Sequence, residues 1–519
     1  MIVLICLYSA IAFISVHIVF AGIAWARAPS WTKAKTRDSS GRTIYEIVGR
    51  MDQKQEAPRD LWDSIRNCFD VVTQVTHKFN NPTEEAGHVL WPRMLFSYII
   101  VVLHRTLLAT RLSDDSLDRI MAANGNNDKV HPVDRTELEG LLERAKFANW
   151  AYPFHKDYQN LEECLRREGF LLIQHDPITS PGKVAHYIAI HQTQKRLLIV
   201  PRGSCGLSDL LTDAAGNTMG QDLTTTATTT HKNDTPVIKG LEKIWSHEGC
   251  LTAANQLSKD CIELVQRLVT REGYNLEIVG HSLGAAVATL MGAIFLNKIP
   301  ALQNPNKFHI WAYAPPPCLN QEASDAIDPY ISTIVWNDDV VPTLSVDNYV
   351  FTCRILAHMN EQEQAYRGKK LALFGALVAA ATTTLGFRKA PMAISDDRLD
   401  EMVHYALEYT ESLHSERQND NDSSNGKTVP QIHVPGQVIY LWERRHWNMP
   451  TGEINAVKAQ GSTFLHLHLV IPTKDSLPNH FMDSYERGMQ QLLQQMGDET
   501  EHRRSIFLWE QIPKSVLES

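Results

Sequence analysis

The sequence predicts an α/β protein built on a largely parallel sheet. Three observations carry that reading. From Arg135 onward, short apolar strand-like runs alternate with helix-like segments. The runs over 308–314 and 331–336 are mostly apolar, as strands covered by helices on both faces are. Finally, Gly280-His281-Ser282-Leu283-Gly284 stands at the junction of a strand and a helix. Before it, 274–279 alternate polar and apolar, which is the strand period; after it, 285–291 are small and apolar, as in a buried helix.

The elements follow in chain order. Residues 1–26 carry no Asp, Glu, Lys or Arg, and the one strongly polar residue there is His17. About 20 apolar residues cross a bilayer as a helix, so 1–26 is expected to be a transmembrane anchor. Arg27, Lys33, Lys35, Arg37 and Arg42 follow. Their charge places that flank, and the chain after it, in the cytosol, giving a single-pass membrane protein. The rival is a cleaved signal peptide, since Ala24-Trp25-Ala26 resembles a cleavage site. The length of the run and the lack of a basic leader favour the anchor. Residues 27–134 read as a juxtamembrane linker and a helical region. Within it, Leu61, Ile65, Phe69, Val72 and Phe79 fall near helical spacing. The apolar stretch 94–108 is short enough to be a packed helix or one lying on a membrane surface. The polar break at 124–128 marks a domain boundary.

The domain over 135–519 opens with a helix at 138–151, then strands at 185–190 and 197–200 that pair. Residues 214–240 are polar and hold two threonine triplets; they read as a mobile loop. A helix over 260–271 feeds the strand before Ser282. A long insertion spans about 354–432. Inside it 371–387 has no charge and is bracketed by Arg367, Lys369, Lys370, Arg388 and Lys389. Those ends suit an anionic lipid surface, and a helix packed on the domain fits equally. Residues 464–471 read as the last strand, with His466 and His468 packed in it or at its edge. A loop over 474–480 and a closing helix over 481–493 follow.

The formal net charge of −9 argues against a nucleic-acid partner. The eight cysteines are scattered without a C-x-x-C pair, which is neither a disulfide framework nor a zinc site. No metal and no organic cofactor is expected.

The pentapeptide is where chemistry enters. A serine on a sharp strand-to-helix turn stands clear of the sheet, and the helix N-terminus behind it favours developing negative charge. A hydroxyl becomes a nucleophile when a base takes its proton and an acid orients that base. On such a sheet the order along the chain is Ser, then Asp or Glu, then His. The strand over 331–336 is followed by Asn337-Asp338-Asp339-Val340-Val341-Pro342, so Asp338 or Asp339 is the candidate acid. His480 has the place of the base, in the loop before the closing helix. The oxyanion donors expected are the backbone N–H of Leu283 and, from the turn Pro201-Arg202-Gly203-Ser204, Ser204. Arg202 reads as a structural residue holding that turn.

Taken in order, these motifs resemble the class 3 (fungal-type) lipases, and among them the sn-1-specific diacylglycerol lipases. Arg202-Gly203-Ser204, with Asp209 and Asp213 after it, is similar to the oxyanion loop of that family. Ser246-His247-Glu248-Gly249-Cys250 is similar to the segment after its lid. Ala312-Tyr313-Ala314-Pro315-Pro316 and Val434-Pro435-Gly436-Gln437-Val438-Ile439 resemble two of its strands. Asp338-Asp339-Val340-Val341-Pro342 resembles its acid segment, and this selects Asp339. Leu477-Pro478-Asn479-His480 falls where the family carries its histidine. Pro201 and Asn479 depart from the family pattern at positions without a catalytic role. The resemblance implies an α/β-hydrolase fold and a lid over about 214–240. It also implies a Ser282–Asp339–His480 triad acting on an acyl ester of a glycerolipid, diacylglycerol first, at a membrane surface. A phospholipase A1 or galactolipase on the same machinery and an inactive lipid-binding scaffold are the rival readings.

Overall fold

A computed structural model describes residues 33–37, 43–47, 130–131, 133–153, 160–179, 182–204, 218–223, 238–345, 347–348, 404, 408–409, 412, 430–444, 453–470 and 476–510. The expected anchor over 1–26, the segments 60–79 and 94–108 and the uncharged run 371–387 lie outside the described residues. Among the described residues, no helix is long and apolar enough to cross a membrane.

Among the described residues, nine strands form the central sheet. They are β1 (Val130–His131), β2 (Leu171–Asp176), β3 (His186–His191), β4 (Arg196–Pro201), β5 (Asn275–His281), β6 (Phe308–Tyr313), β7 (Ile331–Trp336), β8 (Gln437–Arg444) and β9 (Glu453–Gln460). Across the sheet they run β1-β9-β8-β7-β6-β5-β4-β3-β2. The five central strands, β4 to β8, are mutually parallel. Hairpin-type antiparallel pairs finish both sides. This is an α/β-hydrolase-like sheet. Two smaller antiparallel pairs flank it, Thr218–Asp222 with Lys243–His247 and Leu319–Asn320 with Ile432–His433. Lys33–Arg37 and Thr43–Ile47 form a further antiparallel pair.

The helices are α1 (Arg135–Trp150), α2 (Leu161–Arg167), α3 (Glu248–Gln266), α4 (Leu283–Lys298), α5 (Gln321–Ile327), α6 (Ser476–His480) and α7 (Met482–Glu510). Period-2 alternation divides the strand side chains between two faces. Leu197, Ile199, Leu276, Ile278, Phe308 and Ile310 join the core under α3 and α4. Leu198, Val200, Val279, Tyr313, Ile334 and Trp336 join the core under α1 and α7. Every residue from Gly284 to Leu296 in α4 is buried, because the helix is enclosed by the sheet and α3. An apolar surface on all sides is what such a position demands. Each fully buried Leu, Ile or Phe contributes about 1.5–3 kcal/mol.

The face under α1 is not wholly apolar. Glu277 of β5 is buried and receives both Arg196 (Nε to Oε1, 2.5 Å) and Arg144 of α1 (Nε to Oε2, 3.0 Å). Burial pushes the Glu277 carboxyl up, and the two guanidiniums outweigh it and hold it below its ordinary range. Nearby, Ser332 donates to Glu137 of α1 (2.7 Å), Lys458 donates to the same carboxylate (2.6 Å), and His309 Nε2 lies 3.0 Å from Ser332 Oγ. These pairs fix how α1 sits on the strands. At its start, Asp134 caps α1 by accepting from the Thr136 N–H at 2.8 Å.

Three expectations need correction. Residues 464–471 are not the last strand: Gly461–Thr463 and Leu465–His468 are 3-10 turns, and β9 (Glu453–Gln460) is the strand. His466, Leu467, His468 and Leu469 are all buried, so the alternation of histidine and leucine does not report two faces. The helix expected over 260–271 begins twelve residues earlier as α3 and ends in a π turn over Arg267–Arg271. Within the loop expected over 214–240, Thr218–Asp222 is a strand.

Candidate active site

The candidate residues converge at the C-terminal edge of the parallel strands, where ligands bind in open α/β sheets. Ser282 follows β5 directly and precedes α4. Its backbone is at φ 60°, ψ −132°, a conformation a side-chain-bearing residue adopts at a cost of about 1–3 kcal/mol. The turn is held from both sides. Ser282 N–H donates to the Tyr313 carbonyl at 2.9 Å, and the Ser282 carbonyl accepts the Ala285 N–H at 2.9 Å.

Two glycines let main chain pack against this turn. A Cβ on Gly284 would meet the Pro201 carbonyl oxygen and come within 2.8 Å of Arg202 C and 2.9 Å of Gly203 N. A Cβ on Gly203 would meet the Tyr152 hydroxyl and come within 2.5 Å of the His281 carbonyl oxygen. The turn after β4 therefore lies directly on the turn after β5. Ser204 ends that turn, and Leu283 opens α4, where the first N–H groups of a helix have no acceptor within it. Arg202 is buried and donates to the Pro177 carbonyl (3.2 Å) and Thr179 Oγ1 (3.0 Å). It ties the turn to the segment after β2 and points no charge at Ser282.

Asp339 lies three residues past β7. Asn337 makes the bend there in a left-handed conformation (φ 45°), which asparagine tolerates. Its own side-chain oxygen accepts the Glu443 N–H at 2.7 Å. The Asp339 side chain is fully buried. Its carboxylate accepts from the Val341 N–H at 2.9 Å, from the Tyr485 hydroxyl at 2.6 Å, and from His480 Nδ1 at 3.1 and 3.0 Å to its two oxygens. Asp338, its neighbour, is only half-buried.

His480 closes α6, just before α7. A carboxylate only accepts, so Nδ1 carries the proton and Nε2 presents a lone pair. That lone pair faces Ser282 Oγ at 3.0 Å. Ser282, His480 and Asp339 thus form one directed hydrogen-bonded chain, in which a serine proton has a base waiting and the base is oriented from behind. Among the described residues, no group of three or more His, Cys, Asp and Glu is placed to hold a metal ion.

Tyr485 was not legible as part of this site. Met482, Tyr485, Met489 and Leu492 mark the buried face of α7, so its spacing reads as packing. Its hydroxyl donates to Asp339 and accepts the Trp336 N–H at 3.2 Å. Burial, and then the Asp339 charge, push the Tyr485 hydroxyl well above its ordinary value, so it keeps the proton it donates. His466 and His468, by contrast, are packed away from the site. His466 lies edge-on to Tyr440, and burial lowers it to about 3.

Residues 198–349 match the sequence family described as Lipase (class 3). The match makes this a segment similar to class 3 lipases, over less than a third of the chain. That segment runs from β4 through the bend that holds Asp339, and so includes Ser282, Asp339, Ser204 and Leu283. His480 lies beyond it. Human diacylglycerol lipase-alpha is 24% identical over 173 residues, which cover 31% of this chain and 14% of that protein. Mouse diacylglycerol lipase-beta is 23% identical over 165 residues, covering 31% and 22%. The chain thus spans a minor part of the length of these relatives. Among solved structures, the lipase from Rhizopus microsporus var. chinensis has a TM-score of 0.33 at 22% identity, covering 41% of this chain and 71% of that one. Lipase II from Rhizopus niveus gives 0.33 at 22%, covering 42% and 77%.

Proposed function

We propose that this chain is a serine lipase, a carboxylic ester hydrolase that cleaves an acyl ester of diacylglycerol or a related glycerolipid. The observation that carries the reading is the Ser282–His480–Asp339 chain behind a strained Ser282 (3.0 Å from Oγ to Nε2). The class 3 lipase segment and the diacylglycerol lipase relatives support the substrate class.

In the proposed reaction His480 Nε2 takes the Ser282 proton as Oγ attacks the ester carbonyl. The Leu283 N–H and Ser204 stabilise the oxyanion. His480 then gives its proton to the departing alcohol, and an acyl-Ser282 ester remains. Water, deprotonated by His480, attacks that ester, and the fatty acid leaves as Ser282 regains its proton. Asp339 stays ionised and stabilises the imidazolium formed in both steps. No resident metal or organic cofactor enters these steps. The uncharged stretch 1–26 would act as a single-pass anchor with the catalytic domain on the cytosolic side. Residues 214–240 would form a lid, and the anchor would hold the groove beneath it at the lipid surface.

The test is labelling by a fluorophosphonate probe together with hydrolysis of a short-chain p-nitrophenyl ester. Wild type should do both and Ser282→Ala neither. A folded wild type that never labels sinks the enzyme reading and leaves a lipid-binding scaffold. A panel of diacylglycerol, phosphatidylcholine and galactolipid then fixes the headgroup; preference for either polar lipid would replace the diacylglycerol assignment.

A further inference from the structure

His281, the residue before the serine, is buried on the α1/α7 side of the sheet, and both of its ring nitrogens are engaged. Nε2 lies 2.8 Å from the main-chain carbonyl oxygen of His480. Nδ1 lies 2.7 Å from the hydroxyl of Tyr152, two residues past the end of α1. The roles follow from the partners. A carbonyl only accepts, so Nε2 carries a proton and donates. Burial, and then the neighbouring His480, hold His281 well below the ordinary histidine value, so the ring is neutral. A neutral ring has one proton, so Nδ1 accepts and the Tyr152 hydroxyl donates to it. The same hydroxyl is 3.4 Å from the His281 carbonyl, a contact too long to compete for its single proton. The arrangement is one directed chain from Tyr152 through the His281 ring to the His480 backbone. The His281 ring also lies against the His480 ring, centroids 4.6 Å apart at 33°.

His480 has need of such support. It ends a helix of five residues, and one turn of helix does not hold itself. The next residue, Phe481, is 45% exposed and packs little. The bond from Nδ1 to Asp339 fixes one corner of the ring, and a ring held at one corner can still swing. Holding the His480 carbonyl locates the Cα as well, and the two restraints together define where Nε2 points. A neutral neighbour also suits a ring that must become an imidazolium, since a charged His281 at this distance would oppose it.

We infer that Tyr152 and His281 are positioning residues that fix the backbone and ring plane of His480, keeping Nε2 in reach of Ser282 Oγ. The inference rests on the reading of Ser282, His480 and Asp339 as the reacting set. Gly203 belongs to the same device, because a side chain there would displace the Tyr152 hydroxyl.

The test compares Tyr152→Phe, His281→Met and His281→Gln in the full chain, by p-nitrophenyl ester kinetics, fluorophosphonate labelling rate and thermal unfolding. Misplacing a reacting group by a fraction of an ångström costs about 10- to 100-fold in rate, and His281→Met should lose that much kcat with KM unchanged. His281→Gln should recover most of it, since its amide N–H can reach the same carbonyl. Tyr152→Phe removes one oxygen and should lose about tenfold in kcat, because buried Nδ1 then has no donor and the ring is no longer held from that side. Wild-type kcat in Tyr152→Phe overturns the inference, and does so even if His281→Met fails to fold. Equal losses in the Gln and Met variants, tracking their loss of thermal stability, also overturn it in favour of simple packing. A wild type that never labels defeats the lipase reading; a wild type that labels alongside a Tyr152→Phe variant of equal rate defeats this inference alone.

Discussion

Asp339→Asn changes one atom at the base of the hydrogen-bonded chain, and the surrounding donors determine its effect. The carboxylate sits among three donors: the Val341 N–H, the Tyr485 hydroxyl and His480 Nδ1–H. The Val341 N–H is fixed main chain and needs an acceptor, so the asparagine oxygen takes the Oδ1 position. The NH2 group is then left at Oδ2, facing Tyr485 and His480. Tyr485 can turn to accept. His480 Nδ1 meets an N–H at the nearer of its two contacts (3.0 Å, against 3.1 Å to the oxygen position that the Val341 N–H already occupies), so Nδ1 becomes the acceptor and the proton moves to Nε2. That proton occupies the site 3.0 Å from Ser282 Oγ where the serine proton has to go. The equivalent substitution in serine proteases lowers kcat about 10⁴-fold by this change of tautomer, which corresponds to about 5.4 kcal/mol of transition-state stabilisation. The same loss is expected here with KM little changed, measured by ester hydrolysis on protein whose thermal unfolding matches wild type. Asp338→Asn is the control, and its kcat should stay within about threefold of wild type, as surface changes usually do. If Asp339→Asn loses less than about 100-fold while Asp338→Asn loses more, the wrong carboxylate has been assigned and the reasoning fails.

The other predictions concern the supports. Tyr485→Phe removes one hydrogen bond to a buried carboxylate, so urea denaturation should show a loss of about 1.5–3 kcal/mol; kcat should fall far less than for Asp339→Asn, since Val341 still orients the acid. Glu277→Gln leaves Arg144 and Arg196 with the half-exposed Glu143 as their nearest carboxylate and should cost toward the low end of about 3–5 kcal/mol by the same measurement; a neutral result would mean Glu143 and water already balance the cluster. Gly284→Ala drives a methyl into the main chain of 201–203 and should abolish fluorophosphonate labelling or folding altogether. His309 is lowered to about 4 by burial, against 6.5 in an unfolded chain. The unfolded state therefore binds more protons between those values, so stability is complete above pH 6.5 and falls as pH drops toward 4. The difference between wild type and His309→Asn, followed from pH 7.5 to 4.5, should shrink by on the order of 2–3 kcal/mol, and a constant difference would refute it.

What was legible in the sequence divides along physical lines. Strand 331–336 and the strand–turn–helix around Ser282 read correctly because apolar runs bounded by sharp polar breaks are the strongest local signal. Edge strands were harder. Leu171 and Ile173 of β2 are 50% and 44% exposed, so no buried face stamps a pattern on that strand. The stretch 464–471 misled because alternating His and Leu imitates the strand period, whereas those residues are buried on all sides in 3-10 turns. At the site, Ser282 and His480 were found through chain order and turn position, Asp339 was selected over Asp338 by the resemblance to the class 3 lipase acid segment, and the structure brings the three together. Tyr485, Tyr152 and the role of His281 were not found. Their contributions run through a hydroxyl or a main-chain carbonyl at long sequence separation, and aromatic residues at helical spacing look like core.

The supports of the reacting residues share one origin. Tyr152 follows α1, Tyr485 lies on α7, and Asn149 of α1 donates to Glu486 of α7 at 2.5 Å. The side chains that orient Asp339 and His480 therefore come from the two helices on one face of the sheet. The opposite face, under α3 and α4, contributes the elbow and its rigid apolar backing. Thr218–Asp222, inside the segment proposed as a lid, pairs with Lys243–His247 just after it, and the second of these strands runs directly into α3 on that second face. In this division the machinery that sets proton position is mechanically separate from the elements proposed to meet lipid. A change at the lid side is then expected to alter KM and lipid choice, whereas a change in the α1–α7 seam is expected to alter kcat. Additive combination of the two kinds of variant is the expected result, as for sites that share no contact, and a coupling above about 0.5 kcal/mol would show that the two are not separate.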